Sequence, residues 1–370
     1  MKKLNICFTS PSKNAYSETF IQNLKSIIEG NIFYCFGGYF PIESEDGKLN
    51  NHYEAPLILK GGAKIGLIRK PIRDIFLESY LRKNRIQVII ANYGQSGAEL
   101  YRLANRMGIP LVVHFHGFDA SVKQVIQHYK DGYRGMFEIA KAIIVVSTEM
   151  RSKVISLGAP ENKIFLMRCA PASHFSNINP NYRSNQIIAI GRFVEKKAPY
   201  LTILAFKEAQ EILPDLKLKF IGEGELLQVC KELSYALEIK NIEFTSVMES
   251  GDIAREMANS FCFVQHSKTA ENGDKEGTPV AVLEAMAAGL PVISTYHAGI
   301  PDVIQNNENG FLVHEGDVHG MAKSIVKLYQ DRNLAERFGD NNKKYIQSNL
   351  TQERYKAGWD SLIQQVVNEQ

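Results

Sequence analysis

The chain has 370 residues, 45% of them hydrophobic and 22% charged, with a formal net charge of +3. That length exceeds one ordinary core and suits two domains, the composition is ordinary for a soluble globular protein, and no run reaches the ~18 apolar residues that span a bilayer. The small net charge conceals a split: residues 1–170 carry 23 Lys/Arg against 14 Asp/Glu, whereas residues 171–370 carry 20 against 26, so the two halves suit different partners.

In chain order, the opening MKKLNICFTSPS has an apolar run too short for a signal peptide and predicts a first buried strand over 4–8. A loop over 9–17, a helix over 18–29 and a strand over 31–36 follow. Between Lys60 and Arg85 lie eight basic residues, Lys60, Lys64, Arg69, Lys70, Arg73, Arg82, Lys83 and Arg85, opposed only by Asp74 and Glu78. Apolar residues are interspersed there at roughly helical spacing. Such a segment can lie on an anionic membrane or simply be a helix with a solvated basic face. Its few aromatics, and the lack of a recognition motif, argue against nucleic acid.

Strands are predicted over 87–91, 110–114, 141–146 and 164–167, with a turn over 92–97 and a helix over 98–107. His114 and His116, two apart at a strand end, are expected to point to opposite faces. This alternation of strands and helices predicts a parallel, right-handed βαβ sheet, a Rossmann-like domain. The pattern lapses over 168–185 into a polar, Pro- and Asn-containing link, which is the expected boundary between a domain over 1–170 and a second over 171–349.

The second half restarts with strands over 186–190, 217–221 and 242–245, and helices over 200–213 and up to 237. A single helix over 321–339 and a last one over 352–367 close the chain. The five cysteines are dispersed, odd in number and without a C-x-x-C pair, so buried thiols in a reducing cytosol are expected.

The stretch 265–304, QHSKTAENGDKEGTPVAVLEAMAAGLPVISTYHAGIPDVI, organises the rest. A strand-like run opens into a polar loop that ends Glu276-Gly277-Thr278-Pro279, and an apolar helix over 280–288, stopped by Gly289, follows at once. Backbone N–H groups left unpaired at the head of that helix, with the positive end of its dipole, suit a phosphate. Glu276 and Glu284 on either side can accept hydrogen bonds from sugar hydroxyls. A phosphate cradle between two hydroxyl-binding carboxylates points to a ligand built of sugar, diphosphate and ribose. Arg192 and Lys197, flanking the turn after the first strand of the second half, can neutralise charge on a leaving diphosphate. There is no Asp-x-Asp pair and no histidine spacing suited to a metal.

Glu276 and Glu284, spaced Glu, seven residues, Glu, resemble the paired-glutamate signature of retaining glycosyltransferases of the large family four (glycosyl transferases group 1). The phrase SETFI over 17–21 resembles capsule- and exopolysaccharide-building members, although the loop before it, Pro11 to Tyr16, has no glycine where many relatives have a pair. The resemblance implies the GT-B architecture: two Rossmann-like α/β domains with parallel sheets facing across a cleft, acceptor on the N-terminal side and nucleotide sugar on the C-terminal side. It also implies that the last helix, 350–370, packs back on the N-terminal domain through Tyr355, Trp359, Leu362 and Val366. By the same resemblance, GRFVEKK, with Arg192 and Lys197, is the phosphate clamp. Glu276 would hold the transferred sugar, Glu284 the ribose, and Gly277, Thr278 and Pro279 the amide cradle. Gly222 and Gly224 resemble the glycine turn near the nucleotide, or else serve only as a strand-to-helix turn. His116-Gly117-Phe118-Asp119 resembles the loop that meets the donor sugar, with Asp119 alternatively a helix cap.

The implied reaction moves a hexose from a nucleotide donor to a glycan or lipid-linked acceptor for cell-surface polysaccharide, with retention and without a metal or other cofactor. It would take place in the cytoplasm or at the inner membrane face. A catalytically silent binding subunit and a nucleotide-sugar epimerase of the same fold are the alternatives. An NAD-dependent oxidoreductase is opposed by Gly222-Glu223-Gly224, which lacks the third glycine of G-x-G-x-x-G.

Overall fold

The computed structural model describes residues 3–13, 18–49 and 71–369. The chain divides into two compact units: residues 1–146, 150–167 and 356–370 form the first, and 147–149 with 168–355 the second.

The first unit runs β1 (Asn5–Thr9), α1 (Thr19–Ile27), β2 (Asn31–Phe36), β3 (Glu43–Ser44), β4 (Gly47–Lys48), α2 (Ile72–Lys83), β5 (Val88–Asn92), α3 (Gly94–Met107), β6 (Leu111–His114), α4 (Phe118–Ser121), α5 (Lys123–Ile139), β7 (Ala142–Val145), α6 (Thr148–Ser156) and β8 (Ile164–Leu166). Its sheet has the order β4-β3-β2-β1-β5-β6-β7-β8, parallel except for the short β3 and β4 at one edge. Every residue of β5, β6 and β7 is buried, which is why these strands read as unbroken apolar runs: helices cover both faces of a parallel sheet. In α2 the residues Ile72, Leu77 and Leu81 turn into the core. Its basic residues are partly engaged: Arg73 pairs with Glu99 at 2.7 Å, and Arg82 with Glu78 at 3.0 Å. The rest of the basic stretch, 60–70, lies outside the described residues.

The second unit runs β9 (Gln186–Ile190), α7 (Pro199–Ile212), β10 (Lys217–Ile221), α8 (Leu227–Ala236), β11 (Ile242–Thr245), α9 (Ser250–Ala258), β12 (Cys262–Val264), α10 (Val280–Ala288), β13 (Val292–Thr295), β14 (Gly310–Val313), α11 (Val318–Gln330) and α12 (Arg332–Asn349). All its strands are parallel, in the order β11-β10-β9-β12-β13-β14. Successive strands thus run outward one way from β9 and the other way from β12. The gap between those two is the switch point, where doubly wound sheets hold their ligands at the carboxyl ends of the strands.

The final helix, α13 (Gln352–Asn368), belongs to the first unit from Lys356 onward. There Trp359, Leu362 and Val366 are buried, and the Asp360 carboxylate accepts from the Glu29 N–H at 2.9 Å.

Two helix boundaries differ from expectation. The helix expected over 98–107 starts four residues earlier, at Gly94, because the Asp119 carboxylate, in the short helix α4, accepts from the Gly94 N–H at 2.8 Å and caps it from far along the chain. The single helix expected over 321–339 is two, broken at Asp331, whose side chain accepts from the Leu334 N–H and so starts a new helix. The strand β14 and the edge strands β3 and β4 had no counterpart in the sequence reading. All five cysteines are buried thiols. No helix among the described residues is long and apolar enough to cross a membrane.

Candidate functional site

In the second unit the loop after β9 and the loop after β12 meet at the switch point. Lys197 Nζ lies 3.3 Å from Glu276 Oε2 and 3.3 Å from Gln265 Oε1. Gly191, Arg192, Lys197, Thr202 and Gln265 line one small cavity there. The neighbouring Lys196 does a different job. Its ammonium donates to Asp274 Oδ1 at 3.1 Å and to the Lys275 carbonyl at 3.2 Å, holding the loop that carries Glu276. Arg192 is exposed and makes no ion pair among the described residues.

Electrostatically the centre is a buried ion pair with spare capacity. Burial pushes the Glu276 carboxyl up, but Lys197 first and then Lys196 outweigh it and hold it below the usual carboxylate range. Burial pulls the Lys197 ammonium down, and the attraction of Glu276 only partly restores it. The second carboxylate oxygen, Glu276 Oε1, is buried without a hydrogen-bond partner among the described residues. A buried carboxylate oxygen is seldom left so unless something else fills it, and a ligand hydroxyl has the right chemistry.

The helix α10 begins behind Pro279 with no side-chain cap, and its first internal bond runs from the Val282 N–H to the Pro279 carbonyl at 3.1 Å. Gly277, Thr278 and Pro279 therefore form an approach to an uncapped helix start, the setting that suits an anion. Glu284 lies one turn into α10, half-buried, and burial pushes its carboxyl up to about 8. A carboxyl raised in this way binds more protons folded than unfolded between its ordinary value and about 8. Its contribution to stability is therefore complete below the unfolded value and is lost as pH climbs through about 8. The melting temperature of Glu284→Gln minus that of the wild type should accordingly grow as pH rises from 5 to 9. A difference that stays flat across the range would show that Glu284 is not so raised.

Gly222 and Gly224, with φ of +144° and +150°, have a structural reason to be glycine. A Cβ on Gly222 would stand 2.0 Å from the Gly191 carbonyl oxygen, and one on Gly224 would stand 2.5 Å from that of Phe193. The turn after β10 is laid directly against the turn after β9. The bonds Phe193 N–H to Glu223 carbonyl, 2.8 Å, and Leu226 N–H to Phe193 carbonyl, 2.9 Å, stitch the two together.

In the first unit, β5 and β6 end beside each other. His116 Nε2 is 3.1 Å from Asn92 Oδ1, while Asn92 Nδ2 donates to the Thr9 carbonyl at 2.9 Å, so Nε2 carries the His116 proton. The His116 ring is flanked by those of Phe20 and Tyr93, each with centroids 4.8 Å away, and of His114 at 4.1 Å. Burial, then His114, depresses His116 far below its usual range, leaving it neutral. The rings of His114 and His116 therefore lie together, not on opposite faces: residues two apart in a strand share a face. Asp119 accepts from the N–H groups of Gly94, His116 and Gly117 at 2.8–3.0 Å, so its carboxylate caps α3 and shapes the His116 loop rather than lying open to a ligand. Burial pushes that carboxyl up to about 6 against these three donors.

Three residues at the centre were missed from the sequence: Gln265 on Lys197, and His297 and Glu315. His297 Nε2 accepts from the Glu276 N–H at 3.2 Å, and its Nδ1 is 2.6 Å from Glu315 Oε1. His297 lies in the turn after β13 and Glu315 just past β14, and no local pattern links either to Glu276.

Two family models match the chain: Glycosyltransferase Family 4 over residues 35–170 and Glycosyl transferases group 1 over 173–345. Among curated proteins, the amylovoran biosynthesis glycosyltransferase AmsK of Erwinia amylovora is 28% identical over 290 residues, 74% of this chain and 71% of its own length. WcaL of Escherichia coli, a glycosyltransferase assigned to colanic acid biosynthesis, is 28% identical over 253 residues, 66% of this chain and 62% of its own length. Among solved structures, HepE of Anabaena in complex with UDP superposes with a TM-score of 0.80 at 13% identity, covering 99% of this chain and all of that one. Sucrose-phosphate synthase of Thermosynechococcus elongatus superposes with 0.76 at 16% identity, covering 100% of both chains. Those likenesses carry the fold, and the two models adjoin with only residues 171 and 172 between them: the chain belongs to the group 1 glycosyltransferases and has the GT-B fold.

Proposed function

We propose that this chain transfers a hexose from a nucleoside-diphosphate sugar to a glycan or lipid-linked acceptor in building a cell-surface polysaccharide, with retention of configuration and without a metal ion. The observation that carries the reading is the Lys197–Glu276 pair, 3.3 Å apart at the switch point, with Glu276 Oε1 unfilled. The second unit takes the donor. Arg192, which makes no ion pair among the described residues, and Lys197 face the diphosphate together with the N–H groups at the head of α10, and stabilise the charge that builds as the glycosidic bond breaks. Glu276 accepts from hydroxyls of the transferred sugar and Glu284 from those of the ribose. The first unit takes the acceptor, with neutral His116 orienting the donor sugar through its unprotonated Nδ1. HepE has been solved with UDP and with UDP-glucose, which makes uridine nucleotides the first donors to try.

The test is a thermal-shift screen against UDP, GDP and ADP sugars, followed by product analysis with membrane extracts. One nucleotide class should raise the melting temperature and label a glycolipid or glycan. Stabilisation by none of them would remove the reading.

The proposal places the protein at the cytoplasmic face of an anionic membrane, reached through the basic residues of the first unit. Arg73 is already engaged by Glu99, so the test falls on Lys64, Arg69 and Lys70. Replacing all three by Gln should weaken binding to phosphatidylserine vesicles more than tenfold, at about 1 kcal/mol for each near-surface cation. Unchanged sedimentation would retire membrane contact and leave the transferase reading intact.

A further inference from the structure

The Glu276 loop is tied near both ends to one carboxylate, that of Glu315. Glu315 Oε2 accepts from the Thr269 N–H at 2.9 Å, near the start of the loop. Glu315 Oε1 meets His297 Nδ1 at 2.6 Å, and His297 Nε2 accepts from the Glu276 N–H at 3.2 Å, at the end of the loop. A backbone N–H can only donate, so Nε2 must be bare. The ring of neutral His297 then carries its proton on Nδ1 and gives it to Glu315. Protonating Nε2, or moving the proton there, would set two donors against each other at the Glu276 amide. The imidazole is buried, so water cannot easily replace its bond to the Glu276 N–H, whereas Glu315 reaches the surface and meets the ring from there. Glu315 is anchored in turn. The next residue, Gly316, donates its N–H to His266 Nε2 at 2.8 Å, which fastens the end of β14 to the exit of β12.

We propose that His297 and Glu315 are positioning residues for sugar transfer: the imidazole, locked with its proton on Nδ1 between the Glu276 amide and the Glu315 carboxylate, sets where the Glu276 carboxylate stands. This rests on the reading that Glu276 holds the transferred sugar. A carboxylate displaced by a fraction of an ångström would still bind nucleotide, whose contacts lie on Arg192, Lys197 and α10, but it would misplace the sugar at the moment of transfer.

Glu315→Gln tests this with little change of shape. The carboxylate takes the Thr269 N–H on one oxygen and the His297 Nδ1–H with the Thr269 hydroxyl on the other, whereas a carboxamide has one acceptor oxygen, so its NH2 must oppose either the Thr269 N–H or the His297 Nδ1–H. Its kcat should fall on the order of ten- to a hundredfold, with the donor KM and the affinity for UDP within about twofold of wild type. The His297 series separates positioning from packing. His297→Gln places an acceptor where Nε2 was and should keep more activity than His297→Leu, which fills at least as much space but offers the Glu276 N–H no acceptor. A role in packing alone would leave His297→Leu at least as active as His297→Gln. Hydrogen exchange of the peptide over 269–277 is the readout independent of transfer: it should quicken in Glu315→Gln and His297→Ala. Wild-type kcat in Glu315→Gln, or unchanged exchange in both variants, overturns the proposal. If the wild-type protein transfers no sugar at all, the functional reading fails instead, and the exchange measurement alone decides the tether.

Discussion

Glu276→Gln is expected to lower sugar transfer on the order of a hundred- to a thousandfold while the protein still folds and still binds nucleotide. The carboxamide fills the same volume and can still accept a hydroxyl. It brings no negative charge to the sugar, however, and turns either its oxygen or its NH2 toward the Lys197 ammonium 3.3 Å away. Gln is a better probe than Ala because the pair is buried: truncating one partner strands the other, at a cost of about 3–5 kcal/mol. Lys197 keeps one acceptor in Gln265 Oε1, so Glu276→Ala should lie toward the lower end of that range. The double variant Glu276→Gln with Lys197→Met should recover melting temperature without recovering transfer. Steady-state kinetics beside thermal melting checks both statements. Ordinary turnover in Glu276→Gln would take this carboxylate out of the reaction.

Gly222→Ala is expected to destabilise the second unit by about 3 kcal/mol or more, enough to loosen the turn after β9 as well. Two effects add. The backbone sits at φ +144°, where side chains are strained, and the new Cβ would be driven to 2.0 Å from the Gly191 carbonyl oxygen, a rigid backbone atom that cannot swing aside. Gly224→Ala meets the Phe193 carbonyl at 2.5 Å and should behave alike. Gly158→Ala is the control: its φ is +103° but a Cβ there meets nothing within 4 Å, so only backbone strain of about 1–2 kcal/mol is expected. Chemical denaturation of the three variants, with UDP binding measured on each, separates strain from clash. If Gly222→Ala and Gly158→Ala lose equal stability, the close approach of the two turns is not what demands glycine.

Much of the architecture could be read from local pattern. The strands β9, β10 and β11 and the helix α10 have the limits their residues announce. Parallel strands covered on both faces are unbroken apolar runs, and Gly289, in the left-handed region at φ +83°, stops α10 where the pattern stops. The Glu276–Glu284 spacing and the Arg192–Lys197 turn were legible for the same reason: each lies in a short window whose conformation its own residues dictate. Two departures have different causes. The start of α3 waits on Asp119, a partner far along the chain, whereas the split at Asp331 is local, its side chain capping the Leu334 N–H three residues on and outcompeting continuation of the helix.

By itself, then, the sequence determined two α/β units and the residue types that stand at the head of α10. Only the tertiary structure decided that Lys197 pairs with Glu276 while Lys196 holds the loop, that Gly222 and Gly224 serve backbone contact, and that His297 and Glu315 stand behind Glu276. The physical reason is sheet order. Burial and backbone preference act between near neighbours and leave their mark in every short window, whereas the meeting of the ends of β9, β12, β13 and β14 follows from strands taking places that their order along the chain does not reveal.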